Sequence, residues 1–167
     1  MGSDERAQPA LPIHEGRHMA DFPKRTASHG GEVIIASERG EALYNSFKFA
    51  PARRADGTIY VSGVIAGPAR GEGRDVEAFK TQLRRAFGEI GATLAAGGAG
   101  FSHIAMINTF HVWTSDNFQG DRNAQLTAFI EVKDEFIPPP HPAWTAVGTT
   151  GLALDTGVVE IQVIAHL

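Results

Sequence analysis

The sequence of 167 residues contains no cysteine. Disulfide bonds, thiolate catalysis and zinc or iron–sulfur sites held by cysteine are therefore excluded. No apolar run reaches the roughly 18 residues that a transmembrane helix needs, and no basic start followed by an apolar stretch indicates a secretory signal. We therefore expect a soluble, cytoplasmic protein with no membrane partner.

An excess of positive charge is also lacking. The chain has 15 Lys and Arg against 19 Asp and Glu, which gives a net charge of −4. Binding to nucleic acid through phosphates requires a cationic surface, so no nucleic-acid partner is expected. Hydrophobic residues make up 43% of the chain, enough to bury the core of one domain.

Motifs for metals and phosphates are missing as well. The seven histidines form neither HExxH nor HxH, and the one close pair, His14 and His18, lies in an aperiodic N-terminal segment. The glycine-rich segment 67–74 (GPARGEGR) matches neither GxxxxGK[ST] nor GxGxxG after a strand. The sequence predicts no metal site and no cofactor, and a mobile loop at residues 67–74.

Residues 1–30 differ from the rest of the chain, because they are rich in charge, Pro, Gly and His and show no period of 2 or 3.6. They are predicted to form a flexible tail. Residues 15–19 (EGRHM) look like a protease site joined to a cloning junction, so residues 1–18 are a candidate vector-derived segment. The folded domain is predicted to span residues 31–167.

Within that domain the apolar period changes along the chain. A spacing of 3 and 4 between apolar residues predicts helices at 76–94 and 122–137. Apolar runs or alternating patterns predict six strands, at 33–36, 43–49, 58–65, 104–113, 143–150 and 158–167. Both helices fall between strands. The expected fold is α+β, a two-layer α/β sandwich with a six-stranded mixed sheet and two helices on one face.

The face of the sheet away from the helices is predicted to be an interface. In the last strand one parity, from Val159 to Leu167, is wholly apolar and is assigned to the helix side. The opposite parity mixes Val158, Glu160, Gln162, Ile164 and His166, which is too apolar for water and too polar for a dry core. Contact between the sheets of neighbouring subunits fits this mixture best. The alternative is an irregular face exposed to solvent.

Glu160 is the first candidate for chemistry. A carboxylate in such an interface is dehydrated and needs either a partner or a raised pKa. It could bind a ligand N–H, act as an acid or base, or form an interfacial salt bridge, and spacing alone leaves these open. His111 is an inward or interfacial candidate, although a lone histidine in such a place is more often structural than catalytic.

Several segments resemble the Rid, or YjgF-like, family of small trimeric proteins. They are residues 60–63 (YVSG), the long helix that ends in Ala-Ala-Gly, the pair 109–110 (TF) and residues 159–165 (VEIQVIA). The resemblance covers about residues 40–167. Within the family it is strongest to the YjgH-like branch, through residues 132–148.

The resemblance implies a chorismate-mutase-like fold and a homotrimer with three clefts between subunits. Typical members hydrolyse reactive enamines and imines, such as 2-aminoacrylate, to a keto acid and ammonia. Carried over by position, the glutamate that handles water or the imine nitrogen is Glu160, the Ser-Gly pair that completes the cleft is Ser62 and Gly63, and the aromatic residue falls approximately on Phe47.

The arginine that holds the substrate carboxylate in those members does not carry over. Where they read Pro-x-Arg, this chain reads Pro142-Ala143-Trp144. An indole has one N–H and no charge, whereas arginine grips a carboxylate with two charge-assisted hydrogen bonds. Poor binding of 2-aminoacrylate is therefore expected, with Trp144 and Phe47 as walls for a flatter, less charged ligand. Thr145 and His111 are further candidate ligand contacts.

Three functional hypotheses follow. The leading one is a small-metabolite-binding protein with inter-subunit clefts, with any hydrolase or deaminase chemistry directed at a substrate unlike 2-aminoacrylate. The second is a ligand binder or sensor without turnover, which the missing arginine favours. The third, an endoribonuclease or translation inhibitor, is opposed by the net charge of −4 and the absence of a basic, aromatic patch. Whether the protein is an enzyme stays open.

Overall fold

The computed structural model describes residues 21–167 as a twisted sheet with helices packed on it. The strands are β1 (Lys24–Ser28), β2 (Gly31–Ile35), β3 (Ala52–Ala55), β4 (Thr58–Ala66), β5 (Ile104–His111), β6 (Ala143–Gly148) and β7 (Val159–His166). The helices are α1 (Glu38–Phe47), α2 (Val76–Ala96) and α3 (Arg122–Phe136), with a 3-10 turn at Phe101–His103.

The sheet is mixed and has the strand order β1-β2-β3-β4-β7-β5-β6. All neighbouring strands are antiparallel except β5 and β6, which are parallel and are joined through α3. The last strand, β7, is therefore inserted between β4 and β5 at the centre of the sheet. This confirms the α+β class, with seven strands instead of the predicted six.

The core lies between the sheet and the helices α2 and α3. Phe79, Leu83, Phe87, Ile90 and Leu94 of α2 have no exposed surface, as the spacing of 3 and 4 predicts. Asp75 begins that helix by accepting hydrogen bonds from Glu77 N and Ala78 N, and Asp121 does the same for α3 through Ala124 N.

The parity assigned to β7 is confirmed for four of its five residues. Val159, Ile161, Val163 and Ala165 are fully buried against the helices. Leu167 follows the end of the strand and is 48% exposed, so its assignment to the core was wrong.

Residues 43–49 were predicted as a strand, but residues 43–47 instead form the second half of α1 and residues 48 and 49 follow its end. Ser37 caps this helix by accepting a hydrogen bond from Gly40 N at 3.2 Å, and Glu38 and Glu41 place negative charge at its positive end. Lys48 ends the helix in the left-handed region, with φ of 61°. These capping signals outweigh the short alternation of Phe47 and Phe49.

Two strands were missed because they lack an apolar pattern. β1 pairs with β2 from Lys24 to Ser28 through a turn in which Gly30 has φ of 68°, so the sheet begins inside the segment predicted as a tail. β3 contains Arg53 and Arg54 and is placed by its pairing with β2 and β4. The prediction for residues 1–18 lies outside the described residues.

The face of the sheet opposite the helices, called the open face below, carries exposed apolar side chains. Tyr60 is 50% exposed, Val147 41% and Phe110 36%. Polar Asn108 and Gln162 lie between them and are joined by a 3.2 Å hydrogen bond. Within residues 21–167, no helix is long and apolar enough to cross a membrane.

Candidate functional site

A cleft of about 610 Å³ lies beside the part of β4 that β3 does not cover. The pairing of β3 ends at Val61, and the chain beyond it is left free for α1 to approach. Residues from α1, α2, β4, β7 and the loop before β7 line the cleft. It contains four of the seven residues that the sequence analysis singled out: Phe47, Ser62, Gly63 and Glu160.

A β-bulge brings Gly63 against Glu160. Val61 and Val64 of β4 face Val163 and Ile161 of β7, so two residues of β4 oppose one of β7. At this bulge a Cβ on residue 63 would lie 2.6 Å from Glu160 Cγ and would overlap the carboxylate. The carboxylate of Glu160 can occupy this position only because residue 63 is glycine.

Glu160 is half-buried among apolar neighbours. Its cross-strand partners are Ile65 on β4 and Phe110 on β5, which project from the same face of the sheet. Burial raises the pKa of the Glu160 carboxyl, and within residues 21–167 no hydrogen bond or charged group opposes that shift. A carboxylate in this state is a better proton acceptor than one in water.

Ser62 faces the cleft with its hydroxyl hydrogen already used. Its Oγ donates to Ala50 O at 2.7 Å, and its backbone N–H donates to Pro51 O at 2.9 Å. These bonds fix residues 50 and 51 next to the bulge. Ser62 can therefore accept a hydrogen bond from a ligand, and it is not held as a nucleophile.

Phe47 stands at the mouth of the cleft on the last turn of α1. It is 62% exposed, and Phe49 follows after the left-handed turn at Lys48 with 36% exposure. Both rings line the cleft. Phe47 was expected here from the family resemblance, although its element was predicted wrongly.

The sequence analysis did not single out the charged residues that α1 and α2 contribute to the cleft. Arg39 comes from α1, and Arg85 and Glu89 come from the exposed side of α2. Arg39 Nε lies 3.5 Å from Glu89 Oε1, and Arg85 pairs with Glu72 at 2.5 Å. Ser37 followed by Glu38 was the available signal, because a cap at Ser37 places a helix where a strand was predicted.

Trp144, Thr145 and His111 do not join the cleft within one protomer. Trp144 pairs with Ile107 and so points to the helix side, where its ring lies 5.2 Å from Phe129. The predicted role of Trp144 as a cleft wall is therefore not met in the protomer. Thr145 pairs with Asn108 and lies on the open face.

His111 belongs to a buried chain of hydrogen bonds. Trp144 Nε1 donates to Thr109 Oγ1 at 2.9 Å, and Thr109 Oγ1 lies 3.0 Å from His111 Nε2. His111 Nδ1 lies 2.9 Å from Gln125 Oε1, while Gln125 Nε2 donates to Val112 O. Since Gln125 Oε1 can only accept, His111 carries its proton on Nδ1 and accepts from Thr109 on Nε2.

Burial lowers the pKa of His111, and the positive charge of Arg122 acts in the same direction. The ring is stacked on Trp113 at 4.1 Å between centroids. A neutral imidazole with both nitrogens occupied is a structural group. The structural interpretation of His111 that the sequence left open is therefore the one its surroundings favour.

No group of three or more metal-ligating side chains is found within residues 21–167. Among the described residues, the cleft is lined by two carboxylates and no histidine.

Comparison with known proteins identifies the family. The model of the family described as Endoribonuclease L-PSP matches residues 40–167. The chain belongs to the endoribonuclease L-PSP family. This is the Rid, or YjgF-like, family of the sequence analysis, and that resemblance is confirmed.

Relatives within the L-PSP family agree. The chain is 37% identical to the RutC family protein YjgH of Escherichia coli (strain K12) over 128 residues, which cover 75% of this chain and 88% of that protein. The solved structure of YjgH matches with a TM-score of 0.60 and 35% identity, over 75% of this chain and 88% of that one.

Two further L-PSP family structures support the fold. RidA from the Antarctic bacterium Psychrobacter sp. PAMC 21119 has a TM-score of 0.57 and 25% identity, over 71% of this chain and 88% of that one. A YjgF-family protein from Mycobacterium tuberculosis has a TM-score of 0.61 at 18% identity, over 86% of this chain and all of that one, and shows the fold alone.

Proposed function

We propose that this chain binds a small metabolite in the cleft beside Glu160 and hydrolyses an imine or enamine unlike 2-aminoacrylate. The observation that carries the proposal is Glu160 itself, a carboxylate that has no ion pair or hydrogen bond within residues 21–167 and is held against Gly63 on the wall of a largely apolar cleft. Burial raises the pKa of its carboxyl, which makes the carboxylate a better proton acceptor for a water molecule.

The chemistry needs one group that both accepts and returns a proton. Glu160 takes a proton from water as the water oxygen adds to the carbon of a protonated imine. The resulting carbinolamine has a C–O bond and a C–N single bond. The Glu160 carboxylic acid then protonates the nitrogen, and the C–N bond breaks as an oxygen lone pair forms the C=O bond. The regenerated Glu160 carboxylate takes the hydroxyl proton and passes it to the departing ammonia, so that a neutral carbonyl compound and ammonium leave. The atoms of the imine and one water are fully accounted for.

A substrate unlike 2-aminoacrylate is supported by the state of the cleft arginines. Arg85 is held by Glu72 and by Gly67 O, and Arg39 lies beside Glu89. Both terminal nitrogens of Arg85 are engaged, so this guanidinium is not free for a two-point grip on a substrate carboxylate, whereas Arg39 contacts Glu89 through Nε alone and has a mostly exposed side chain. The position of the family arginine is occupied by Trp144, whose indole is used inside the protein.

A homotrimer with clefts between subunits is part of the proposal. The open face carries Tyr60, Phe110 and Val147, which are poorly suited to water and suited to a facing sheet. Phe110 is also a neighbour of Glu160, so a subunit that covers this face would narrow the cleft. The cytoplasmic location stays a prediction.

The test is release of ammonia from a panel of imines generated in solution by amine and amino-acid oxidases, with and without the full chain. Glu160→Gln should lower the hydrolysis rate by about 100-fold or more, because it keeps the shape and removes the base. Glu131→Gln is the matched control, since Glu131 lies on α3 and pairs with Lys80. Equal rates for the native chain and Glu160→Gln would contradict the proposal.

Ligand binding without turnover is the second candidate. It is favoured by the Ser62 hydroxyl, whose hydrogen is held by Ala50 O and is not aimed at a developing oxyanion. Thermal shifts with metabolites and no ammonia release from any imine would support it.

The name of the family model refers to an endoribonuclease, and that activity is not proposed for this chain. Glu89 and Glu160 line the cleft, and carboxylates repel phosphates. RNA cleavage by purified protein that is lost in Glu160→Ala would overturn this view.

A further inference from the structure

The charges around the cleft leave one carboxylate without a partner. Four charged residues line it: Arg39, Arg85, Glu89 and Glu160. Arg39 lies 3.5 Å from Glu89, and Arg85 is bound to Glu72 so firmly that the pKa of Glu72 falls to about 2. Within residues 21–167, Glu160 has no ion pair or hydrogen bond of its own. A ligand therefore meets an excess of negative charge at the inner end of the cleft.

Two hydroxyl groups of the cleft lining, those of Ser62 and Thr93, are also acceptors. Ser62 Oγ gives its hydrogen to Ala50 O at 2.7 Å, and Thr93 Oγ1 gives its hydrogen to Glu89 O at 2.9 Å. A hydroxyl has a single hydrogen, so each presents only lone pairs to a ligand. Ser37, at the start of α1, accepts from Gly40 N and keeps its hydrogen. The Glu160 carboxylate and the Ser62 and Thr93 hydroxyls therefore favour a ligand that donates hydrogen bonds.

The remainder of the lining is apolar. Leu43, Phe47, Phe49, Val64, Ile65 and Leu154 supply it. The cleft volume of about 610 Å³ is sufficient for a ligand with a ring or a branched chain. The exposed rings of Phe47 and Phe49 at the mouth of the cleft can stack on an aromatic group of the ligand or contact a cationic one.

We infer that the cleft selects an organic cation, a primary amine or iminium that has an apolar or aromatic tail and no carboxylate. This inference rests on the proposed function, because it names the substrate class of the same cleft. The ammonium or iminium N–H groups donate to Glu160 and Ser62, and the tail lies against the apolar wall. A carboxylate placed beside Glu160 would be repelled, and Arg85, whose terminal nitrogens are bound to Glu72 and to Gly67 O, is not free to receive it.

The experiment compares ligands that differ only in their polar head. Propyl, benzyl and indolyl-ethyl tails are each used as the ammonium, the alcohol and the carboxylate. Binding to the full chain at pH 7.5 is measured by isothermal titration calorimetry. For at least one tail, the ammonium should bind at least tenfold more tightly than the matched alcohol and carboxylate.

Two variants tie this preference to the carboxylate. Glu160→Gln removes the charge, and Gly63→Ala displaces the carboxylate by overlap. Both should reduce the ammonium preference to less than threefold. Glu131→Gln and Gly100→Ala are the matched controls outside the cleft, and a Cβ on residue 100 meets no atom within 4 Å. Both controls should keep the native preference.

The outcomes separate this inference from the proposed function. If no ammonium binds better than its matched alcohol and carboxylate, or if the preference survives in Glu160→Gln, the inference is wrong. Hydrolysis of carboxylate-bearing imines that depends on Glu160 would then leave the proposed function standing. Glu160-dependent binding of amines without hydrolysis of any imine would support the inference and overturn the hydrolase.

Discussion

The indole of Trp144 donates a hydrogen bond to the hydroxyl of Thr109 at 2.9 Å, on the helix side of the sheet. The same hydroxyl lies 3.0 Å from His111 Nε2, and Thr109 and His111 have no exposed surface. Thr109 is thus the link between β6 and the buried imidazole.

Thr109→Val should destabilise the protein more than Trp144→Phe does. The valine leaves Trp144 Nε1 and His111 Nε2 without a partner, at a cost of about 2–4 kcal/mol in the free energy of unfolding. Trp144→Phe removes one donor together with its group and should cost about 1–2 kcal/mol. Urea denaturation measures both. A smaller loss for Thr109→Val would show that the hydroxyl does not hold the network together.

His111 should make the stability depend on pH. Its pKa is lowered in the folded state, so the unfolded chain binds the proton first as the pH falls. The contribution is complete above the unfolded pKa of about 6.5 and is lost as the pH falls toward the folded value. Between pH 6.5 and 5, the native protein should lose up to about 1.4 kcal/mol per pH unit more than His111→Asn does. If the free energy of unfolding changed equally with pH in the native protein and in His111→Asn, this prediction would be wrong.

Glu160 should make the stability of the protein depend on pH in the opposite direction. Its pKa is raised by burial, so the folded state favours the protonated form. Above the folded pKa the ionised carboxylate weakens the fold, and Glu160→Gln should have the higher Tm. The difference should shrink as the pH falls through the raised pKa and disappear below the unfolded value of about 4.3. Calorimetry from pH 4 to 8 measures it, with Glu131→Gln as the control that stays near the native curve.

Phe110 should set the pH at which Glu160 works. The ring is its cross-strand neighbour and helps to exclude water. Phe110→Ala should lower the pKa of Glu160 toward its ordinary value and shift the acid limb of ligand binding or turnover to lower pH. If the acid limb of the pH profile did not move in Phe110→Ala, the Phe110 ring would not contribute to the desolvation of the Glu160 carboxyl.

The open face should hold the subunits together. Val147→Lys places a charge among Phe110 and its apolar neighbours and should shift the proposed trimer toward monomer in analytical ultracentrifugation. Glu131→Gln, on a helix away from this face, serves as the control. A native chain that is monomeric at micromolar concentration would remove the basis for clefts between subunits.

The parts of the fold that a strict apolar period encodes could be predicted from the sequence. The core face of β7 and the stripe of α2 follow from their spacing, and the parity of β7 places Glu160 on the open face. Ser62, Gly63 and Phe47 came from the family resemblance, and the structure brings them together with Glu160.

The remaining errors have local causes. α1 was missed because Phe47 and Phe49 alternate over a short stretch, while its cap at Ser37 acts from outside that stretch. β3 offers two arginines and no apolar alternation, so its position depends on pairing with distant strands. The face of the sheet on which the Trp144 side chain lies could not be predicted either, since both parities of β6 mix small, polar and apolar residues.

The four-residue length of β3 has a consequence for how this protein can diversify. Because that strand begins at Ala52, opposite Val61, one side of the cleft is made by residues between 36 and 51, which lie outside the strands of the sheet. Insertions, deletions and changes of side chain on this side leave the ladder between β4 and β7 untouched. The ligand that is bound can therefore change from one relative to the next while the residues at the positions of Glu160 and Gly63 keep their pairing.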